Sequence, residues 1–337
     1  MGNTGIENMI GLSVVIPCYN EEAVLPELIR RVSAVCDAFS PGNYEIILVN
    51  DGSKDASWQL ISDYADSLPH VTGIDLSRNY GHQLALSAGL KACRGEYILI
   101  LDADLQDPPE LLPDMFCLMQ QGYDVVYGQR THRSGETLFK RASAALFYRL
   151  LQKLVDVVIP PDTGDFRLMS RRVCDQLNAM PERYRFVRGM ISWIGFNQIA
   201  IPYQRDARFA GTTHYPLRKM LSFALDAVTS FSVMPLRFAS HLGILFGLCG
   251  LLALGWVGLS YLTAGVVAGW TSLAALILIL GSVQLLLLGV FGEYLGRMYM
   301  ESKQRPSFIV RELRSQRITT TNPVHRMTDT IRRQING

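Results

Sequence analysis

Two runs without a charged side chain, Leu242 to Leu262 and Trp270 to Phe291, constrain this 337-residue chain more than any other feature. At about 1.5 Å of rise per residue, each would reach roughly 32 Å as a helix, the thickness of a bilayer's hydrocarbon core. Lipid offers the backbone no hydrogen-bond partner, so a run of this kind is expected to be helical. The connection from Thr263 to Gly269 carries no Lys or Arg, whereas Arg237 precedes the first run and Arg297, Lys303 and Arg305 follow the second. The positive-inside rule then predicts a hairpin of two spans with both termini on the cytoplasmic side. Tyr261 and Trp270 fall near the outer interface, where aromatic belts form, and Gln284 is expected to hydrogen-bond a neighbouring helix. A buried hairpin in a soluble protein is the competing reading.

The rest of the chain belongs in water. The composition is 49% hydrophobic, and the excess sits in the last third. A net charge of +2, with no long basic block or interleaved aromatic array, gives no reason to expect a nucleic-acid partner. The six cysteines (Cys18, Cys36, Cys93, Cys117, Cys174, Cys249) form no C-x-x-C pair and read as buried thiols of a reducing compartment. The first nine residues are polar, and Leu12 to Ile16 is too short for a signal peptide.

From Leu12 onward, short apolar runs alternate with helical patterns. Leu12–Pro17, Tyr44–Val49, Val71–Leu76, Glu96–Leu101 and Tyr123–Tyr127 read as strands, with helices over about 21–39, 53–65 and 82–93. That alternation predicts βαβ units and a doubly wound, mostly parallel sheet. No G-x-G-x-x-G or G-x-x-x-x-G-K-[ST] occurs, so a nucleotide would be held by side chains and not by a glycine cradle. Residues 138 to 155 form a basic amphipathic pattern, and residues 217 to 239 look like interfacial helices broken at Met234-Pro235. The tail beyond about Val310 is basic and polar, and is expected to be mobile.

The chemistry is expected where the fourth strand ends, at Asp102-Ala-Asp104-Leu-Gln106-Asp107-Pro-Pro. In open α/β sheets, ligands sit beyond the carboxyl ends of the strands. In an extended chain Asp102 and Asp104 leave the same face. Two carboxylates and an amide oxygen within five residues suit a hard cation, Mg²⁺ or Mn²⁺, that also grips a diphosphate. Acidic residues in such a turn also cap helices, and for Asp107-Pro108 capping is the preferred reading. His82 reads as an ordinary helix-start residue, and Tyr19 serves packing as readily as contact.

Taken in order and spacing, Val-Val-Ile-Pro17-Cys-Tyr-Asn-Glu-Glu, Val-Asn-Asp51-Gly-Ser, Arg-Asn-Tyr-Gly-His82, Asp102-Ala-Asp-Leu-Gln, Gly164-Asp-Phe-Arg-Leu and Glu293-Tyr-Leu-Gly-Arg resemble the family 2 glycosyltransferases of the polyprenyl-phosphate branch. Within it the nearest likeness is to bactoprenol glucosyltransferases, then to dolichol-phosphate mannose synthase. The resemblance implies a GT-A domain over residues 1–215, interfacial amphipathic helices over 216–240, the transmembrane hairpin over 241–293 and a cytoplasmic tail over 294–337, in a bacterial inner membrane. It implies inverting, metal-dependent transfer of a sugar, glucose from UDP-glucose by preference, to undecaprenyl phosphate. The product would be a lipid-linked donor for modifying O-antigen or another envelope glycan, and two spans alone favour a homo-oligomer.

By the same resemblance, Pro17, Tyr19, Glu21 and Asp51 would line the nucleoside pocket. Asp102 and Asp104 would flank the diphosphate, and Asp104 with Gln106 would ligate the metal. Asp165 occupies the position often taken as catalytic. Arg130, Arg141 and Arg208 would hold phosphate, with His214 standing where a Lys is usual, in Gly211-Thr-Thr-His-Tyr215. GDP-mannose, UDP-N-acetylhexosamine or UDP-formamido-arabinose would fit the same frame. A processive polysaccharide synthase would show a Gln-x-x-Arg-Trp motif, of which Arg185-Phe-Val-Arg188-Gly is a distant echo. A non-catalytic scaffold and a flippase subunit are the remaining alternatives.

Overall fold

A computed structural model of the protein describes residues 10–131, 163–205, 234–264 and 269–316. The expected basic helix over 138–155, most of the interfacial segment over 217–239, and Arg141, Arg208 and His214 lie outside the described residues. The chain divides into two units, one holding every strand and the other the two long C-terminal helices.

The first unit is built on β1 (Leu12–Cys18), whose residues are all buried. A strand covered on both faces is apolar without alternation, as Leu-Ser-Val-Val-Ile is. It pairs in parallel with β2 (Tyr44–Asn50) and β4 (Tyr97–Ile100), and β2 pairs in parallel with β3 (Val71–Leu76). Helices α1 (Leu25–Phe39), α2 (Ser57–Ser67) and α3 (His82–Ala92) make the crossovers. After a 3₁₀ turn (Pro109–Leu111) and α4 (Leu112–Gln120) come β5 (Val125–Arg130), β6 (Thr163–Ser170), α5 (Arg171–Ala179), α6 (Val187–Ile194) and β7 (Gln198–Tyr203). A last strand, β8 (Val310–Arg314), completes eight in the order β7-β5-β6-β4-β1-β2-β3-β8.

The sheet is mixed. β5–β7 is parallel, but β4–β6, β5–β6 and β3–β8 are antiparallel. The five strands expected from the sequence are present, while β6, β7 and β8 are additions. β6 escaped because Asp165 and Arg167 sit fully inside it, breaking its apolar run. β8 corrects the expectation of a mobile tail: Val310–Arg314 pairs with β3 from Gly73 to Leu76. Its charged residues, Arg311, Glu312 and Arg314, suit an edge strand, and Arg311 reaches Asp75 at 3.1 Å.

The loops at the carboxyl ends of β1 and β2 are knitted together. Asn20, in the left-handed region at φ 56°, donates its N–H to Ser53 Oγ and accepts the Lys54 N–H at Oδ1. Gly52 has φ 66°, and a Cβ there would stand 2.6 Å from the backbone of Arg78 and Asn79. Gly52→Ala is therefore expected to lose at least about 2 kcal/mol, from left-handed strain plus an immovable backbone clash. A urea midpoint within experimental error of the parent would contradict this packing.

In the second unit, α7 (Met234–Ala264) and α8 (Trp270–Ser302) are 31 and 33 residues long. Large apolar side chains such as Leu251, Leu252, Trp256, Leu285 and Leu288 are exposed along them. Among the described residues, one stretch, Ile279–Ser302 of α8, is long and apolar enough to cross a membrane, and Leu236–Leu252 of α7 is a shorter apolar helix.

Candidate active site

Beyond the carboxyl ends of β1 to β4, four loops meet. Pro17 closes β1, Tyr19 is 44% exposed, and the Glu21 N–H is held by Ser57 Oγ at 2.8 Å. Tyr19 is exposed and Glu21 partly so, whereas Pro17 is buried within β1. Asp51 is different. It is buried, and its two carboxylate oxygens accept the N–H groups of Tyr80 (2.7 Å) and Gly81 (2.9 Å). Burial raises its pKa, opposed by those two hydrogen bonds. The carboxylate thus clamps the loop that delivers His82.

β4 ends at Ile100, and the chain then turns at Ala103-Asp104, just before Leu105 in the left-handed region at φ 57°. Asp102 and Asp104 are consequently not on one extended segment, and they face different partners. Asp102 Oδ1 lies 3.5 Å from His82 Nε2, whereas Asp104 accepts the Gln106 N–H at 3.2 Å and lies 3.7 Å from Arg205. Burial, with the neighbouring acids, pushes the Asp102 carboxyl up to about 6 although His82 opposes the shift.

Asp107 corrects the capping expectation. The 3₁₀ turn Pro109–Leu111 has Pro108 at its N-cap and no side-chain cap hydrogen bond. Asp107 is instead fully buried, accepts the Tyr203 hydroxyl, and lies 3.4 Å from Arg205 Nε. Tyr203 in turn accepts from Arg130 Nε at 3.4 Å. Gly164 makes room for this, since a Cβ there would meet Arg130 Nη2 at 2.8 Å.

Asp165, on β6, is the hub. Its carboxylate receives the Gln83 amide (2.9 Å), His82 Nε2 (3.2 Å) and Arg188 Nη2 (3.5 Å), with Arg167 at 4.0 Å. Burial opposes ionisation, but Arg188, the His82 hydrogen bond and Arg167 outweigh it and hold the carboxyl well below the usual range. Burial would lower the pKa of His82, yet its bond to Asp165 and the charges of Asp102 and Asp165 raise it to about 9. The imidazole is therefore a cation at neutral pH, which corrects its reading as a mere helix start, although it does begin α3. Gln83 also accepts the Val187 N–H at 2.9 Å, tying α6 to the same point.

Sequence reasoning named Asp102, Asp104, Arg130 and Asp165 and missed His82, Gln83, Asp107, Arg188, Tyr203 and Arg205. The signals were present in part, since His82 ends a quoted motif and Arg188 belongs to the distant Gln-x-x-Arg-Trp echo. Arg185 of that echo is structural, donating to the Leu177 and Met180 carbonyls at the end of α5.

A pH profile follows from these groups. Imidazole ordinarily titrates near 6.5, so a folded-state value of about 9 adds stability that is complete below about 6.5 and lost as pH rises through 9. With 42% of the side chain exposed, solvent screening keeps that stability term small. Activity is the sharper readout. Turnover is expected to fall on an alkaline limb near pH 9, and His82→Gln should abolish that limb. An unchanged limb in the variant would assign it elsewhere. Asp102 runs the opposite way, since its raised carboxyl must ionise through about 6 for the cleft to reach full negative charge.

Among the described residues, no group of three or more His, Cys, Asp or Glu is placed to hold a metal ion by itself. Buried carboxylate oxygens without a hydrogen-bond partner do face this region: Asp102 Oδ1 and Asp107 Oδ2. That donor set fits a cation that takes the rest of its shell from a ligand's phosphates, as Mg²⁺ commonly does.

Comparison with known proteins identifies the family. Residues 13–177 match the model of glycosyl transferase family 2. An uncharacterized glycosyltransferase of Bacillus subtilis, YkcC, is 48% identical, covering 90% of this chain and 94% of its own. The bactoprenol glucosyl transferase of Shigella phage SfV is 39% identical over 89% of this chain and 98% of its own. A prophage bactoprenol glucosyl transferase homolog of Escherichia coli is 38% identical over 90% and 99%.

Proposed function

We propose a reaction from a plain premise: this chain belongs to the family 2 glycosyltransferases, in their bactoprenol-glucosyltransferase-like group, and is a glycosyltransferase. The reaction is transfer of glucose from UDP-glucose to undecaprenyl phosphate, with inversion at C1, on the cytoplasmic face of the membrane. The observation that carries it is the buried Asp165 hub facing the acidic turn, in a chain matched almost end to end by bactoprenol glucosyl transferases.

A phosphate monoester has a second pKa near 6, so a lipid monophosphate is largely a dianion at neutral pH and already a nucleophile. One of its oxygens attacks C1 of the sugar, the bond from C1 to the UDP oxygen breaks, and UDP leaves with both electrons. No strong base is needed, and Asp165 is poorly suited to be one, because His82, Arg188 and Gln83 already engage its carboxylate. Its work is to hold His82 and Arg188 in place toward the acceptor phosphate, with Arg130 as a further anion-binding group. Pro17, Tyr19 and Glu21 line the nucleoside side, and Asp51 shapes that side by fixing the loop at Tyr80 and Gly81. Asp104 and Gln106, beside Asp102, would hold Mg²⁺ or Mn²⁺, which supplies neutralisation of the charge growing on the diphosphate.

An acceptor of this kind lies in a bilayer, and the pairing of β8 with β3 supports a two-span hairpin. After α8 the chain returns to the sheet it left at β7, and a chain that returns to one domain crosses a bilayer an even number of times. The candidate span in α8 then needs a second, for which α7 has the length and the exposed apolar surface.

Purified protein, undecaprenyl phosphate and a panel of radiolabelled UDP- and GDP-sugars test the reading. Labelled lipid is expected from UDP-glucose, lost with EDTA and reduced by at least about 100-fold in Asp104→Ala. Labelling from a different donor would replace the sugar, and labelling that survives EDTA would remove the metal. No labelled lipid from any donor would defeat the transferase reading in this form.

A further inference from the structure

Arg205 lies two residues beyond β7, and its guanidinium sits between two carboxylates of the acidic turn. Nη2 is 3.7 Å from Asp104 Oδ2, and Nε is 3.4 Å from Asp107 Oδ1. The transfer chemistry has no use for this bridge, and as a permanent structural pair it is badly made. Nε is buried without a hydrogen-bond partner, because its approach to Asp107 lacks hydrogen-bond geometry. Asp107 Oδ2 is buried without a hydrogen-bond partner as well, and Asp102 Oδ1 has no hydrogen bond beside its ion pair with His82 at 3.5 Å.

Structural arginines of this fold look different. Arg167 donates to the Asp165 and Gly164 carbonyls at 3.2 and 2.9 Å, and Arg94 grips Glu45 at 3.1 and 2.8 Å. A partly buried ion pair repays its desolvation only with good hydrogen bonds, so one held by charge alone is easily exchanged. Arg205 makes such a pair, and the other oxygen of Asp107, Oδ2, is buried without a hydrogen-bond partner and suits a cation. Its side chain is still 26% exposed, which leaves it free to turn.

We propose that Arg205 is the stand-in counter-ion of the acidic turn: it bridges Asp104 and Asp107 while the cleft is empty, yields them to the divalent cation, and then pairs with the diphosphate of the donor. The idea rests on the metal-assisted sugar-nucleotide reading of the cleft. A cation arriving alone must evict a guanidinium that has nowhere to go. A cation arriving with a diphosphate gives the guanidinium a new anion, and Arg is well shaped to take it. Cation and nucleotide are then coupled through Arg205, and the coupling is reciprocal by linkage.

The test measures Mn²⁺ binding to full-length detergent-solubilised protein from the loss of the free-ion EPR signal, with and without UDP. In Arg205→Met, Mn²⁺ without UDP is expected to bind at least about 10-fold more tightly than in the parent, because the competing charge is gone. The factor by which UDP tightens Mn²⁺ should shrink by a similar amount. Arg205→Lys keeps the charge and should restore weak binding of Mn²⁺ alone, which controls for any change in folding. Unchanged or weaker binding of Mn²⁺ alone in Arg205→Met, beside a parent that binds Mn²⁺ with UDP, overturns this inference and leaves the cleft reading standing. A parent that binds no Mn²⁺ even with UDP overturns both.

Discussion

Asp165→Asn is expected to slow sugar transfer by about 1,000-fold, with the affinity for the sugar nucleotide changed by no more than about threefold. An amide keeps the shape of the carboxylate and removes its charge. Arg188 and Arg167 would then lose this anion, and His82 would keep only Asp102, at 3.5 Å. Removing one partner of a buried charge cluster costs about 3–5 kcal/mol, because the others remain desolvated and unpaired. In a domain of this size that is a fall in melting temperature of about 10 °C. Loss of a positioned electrostatic group in the cleft is typically worth about 100- to 1,000-fold in rate, and here the cations held by Asp165 would be displaced together. Two measurements separate the roles. If only stability falls while the folded fraction keeps its rate, Asp165 is structural. If the rate falls and donor affinity holds, it organises the acceptor side. Asp165 acting as a general base would instead leave His82 and Arg188 substitutions nearly silent.

Cutting the chain after Ser302 is expected to unfold or aggregate the sheet-bearing unit, even though no residue of the acidic turn or the Asp165 hub is removed. β8 supplies the outer partner of β3 from Gly73 to Leu76. Its loss would leave a bare edge on a buried strand, a template for pairing with other chains. Asp75 would also lose Arg311, leaving the Asn50 amide as its hydrogen-bond donor. Four pairings at about 0.5–1.5 kcal/mol of net hydrogen-bond stability each predict a loss of roughly 3 kcal/mol before aggregation is counted. Expression of the truncated protein, followed by gel filtration in detergent, reads the outcome directly. A monodisperse product with the parent's urea midpoint would show that β8 is dispensable.

The same strand shows where sequence reading stopped short. β1, β2 and β4 were legible because strands covered on both faces are rich in consecutive Val, Ile and Leu. β8 carries Arg311, Glu312 and Arg314 within five residues, which by composition is a tail. Only the row of open hydrogen bonds along β3, more than two hundred residues earlier, makes it a strand. β6 was hidden for the opposite reason. Asp165 and Arg167 look like solvent-seeking residues until β4 and β5 close on either side and the charges are found neutralising one another.

Within the cleft, the sequence alone determined the kinds of group and their order: an acid pair with an amide after a buried strand, an Asp-Gly-Ser turn, a Gly-Asp-Phe-Arg strand and a set of arginines. Those are local facts, set by residue type and spacing. Tertiary structure decided which group meets which. It took Asp107 from a supposed cap to the Tyr203 and Arg205 side of the cleft, and His82 from a helix start to a cation against Asp165. It also turned the chain at Ala103-Asp104, so that Asp102 and Asp104 part company. The physical reason is the same in each case. A charged side chain declares its chemistry in the sequence, but its partner and its protonation are set by burial and by the charge placed a few ångströms away, and those depend on segments distant along the chain.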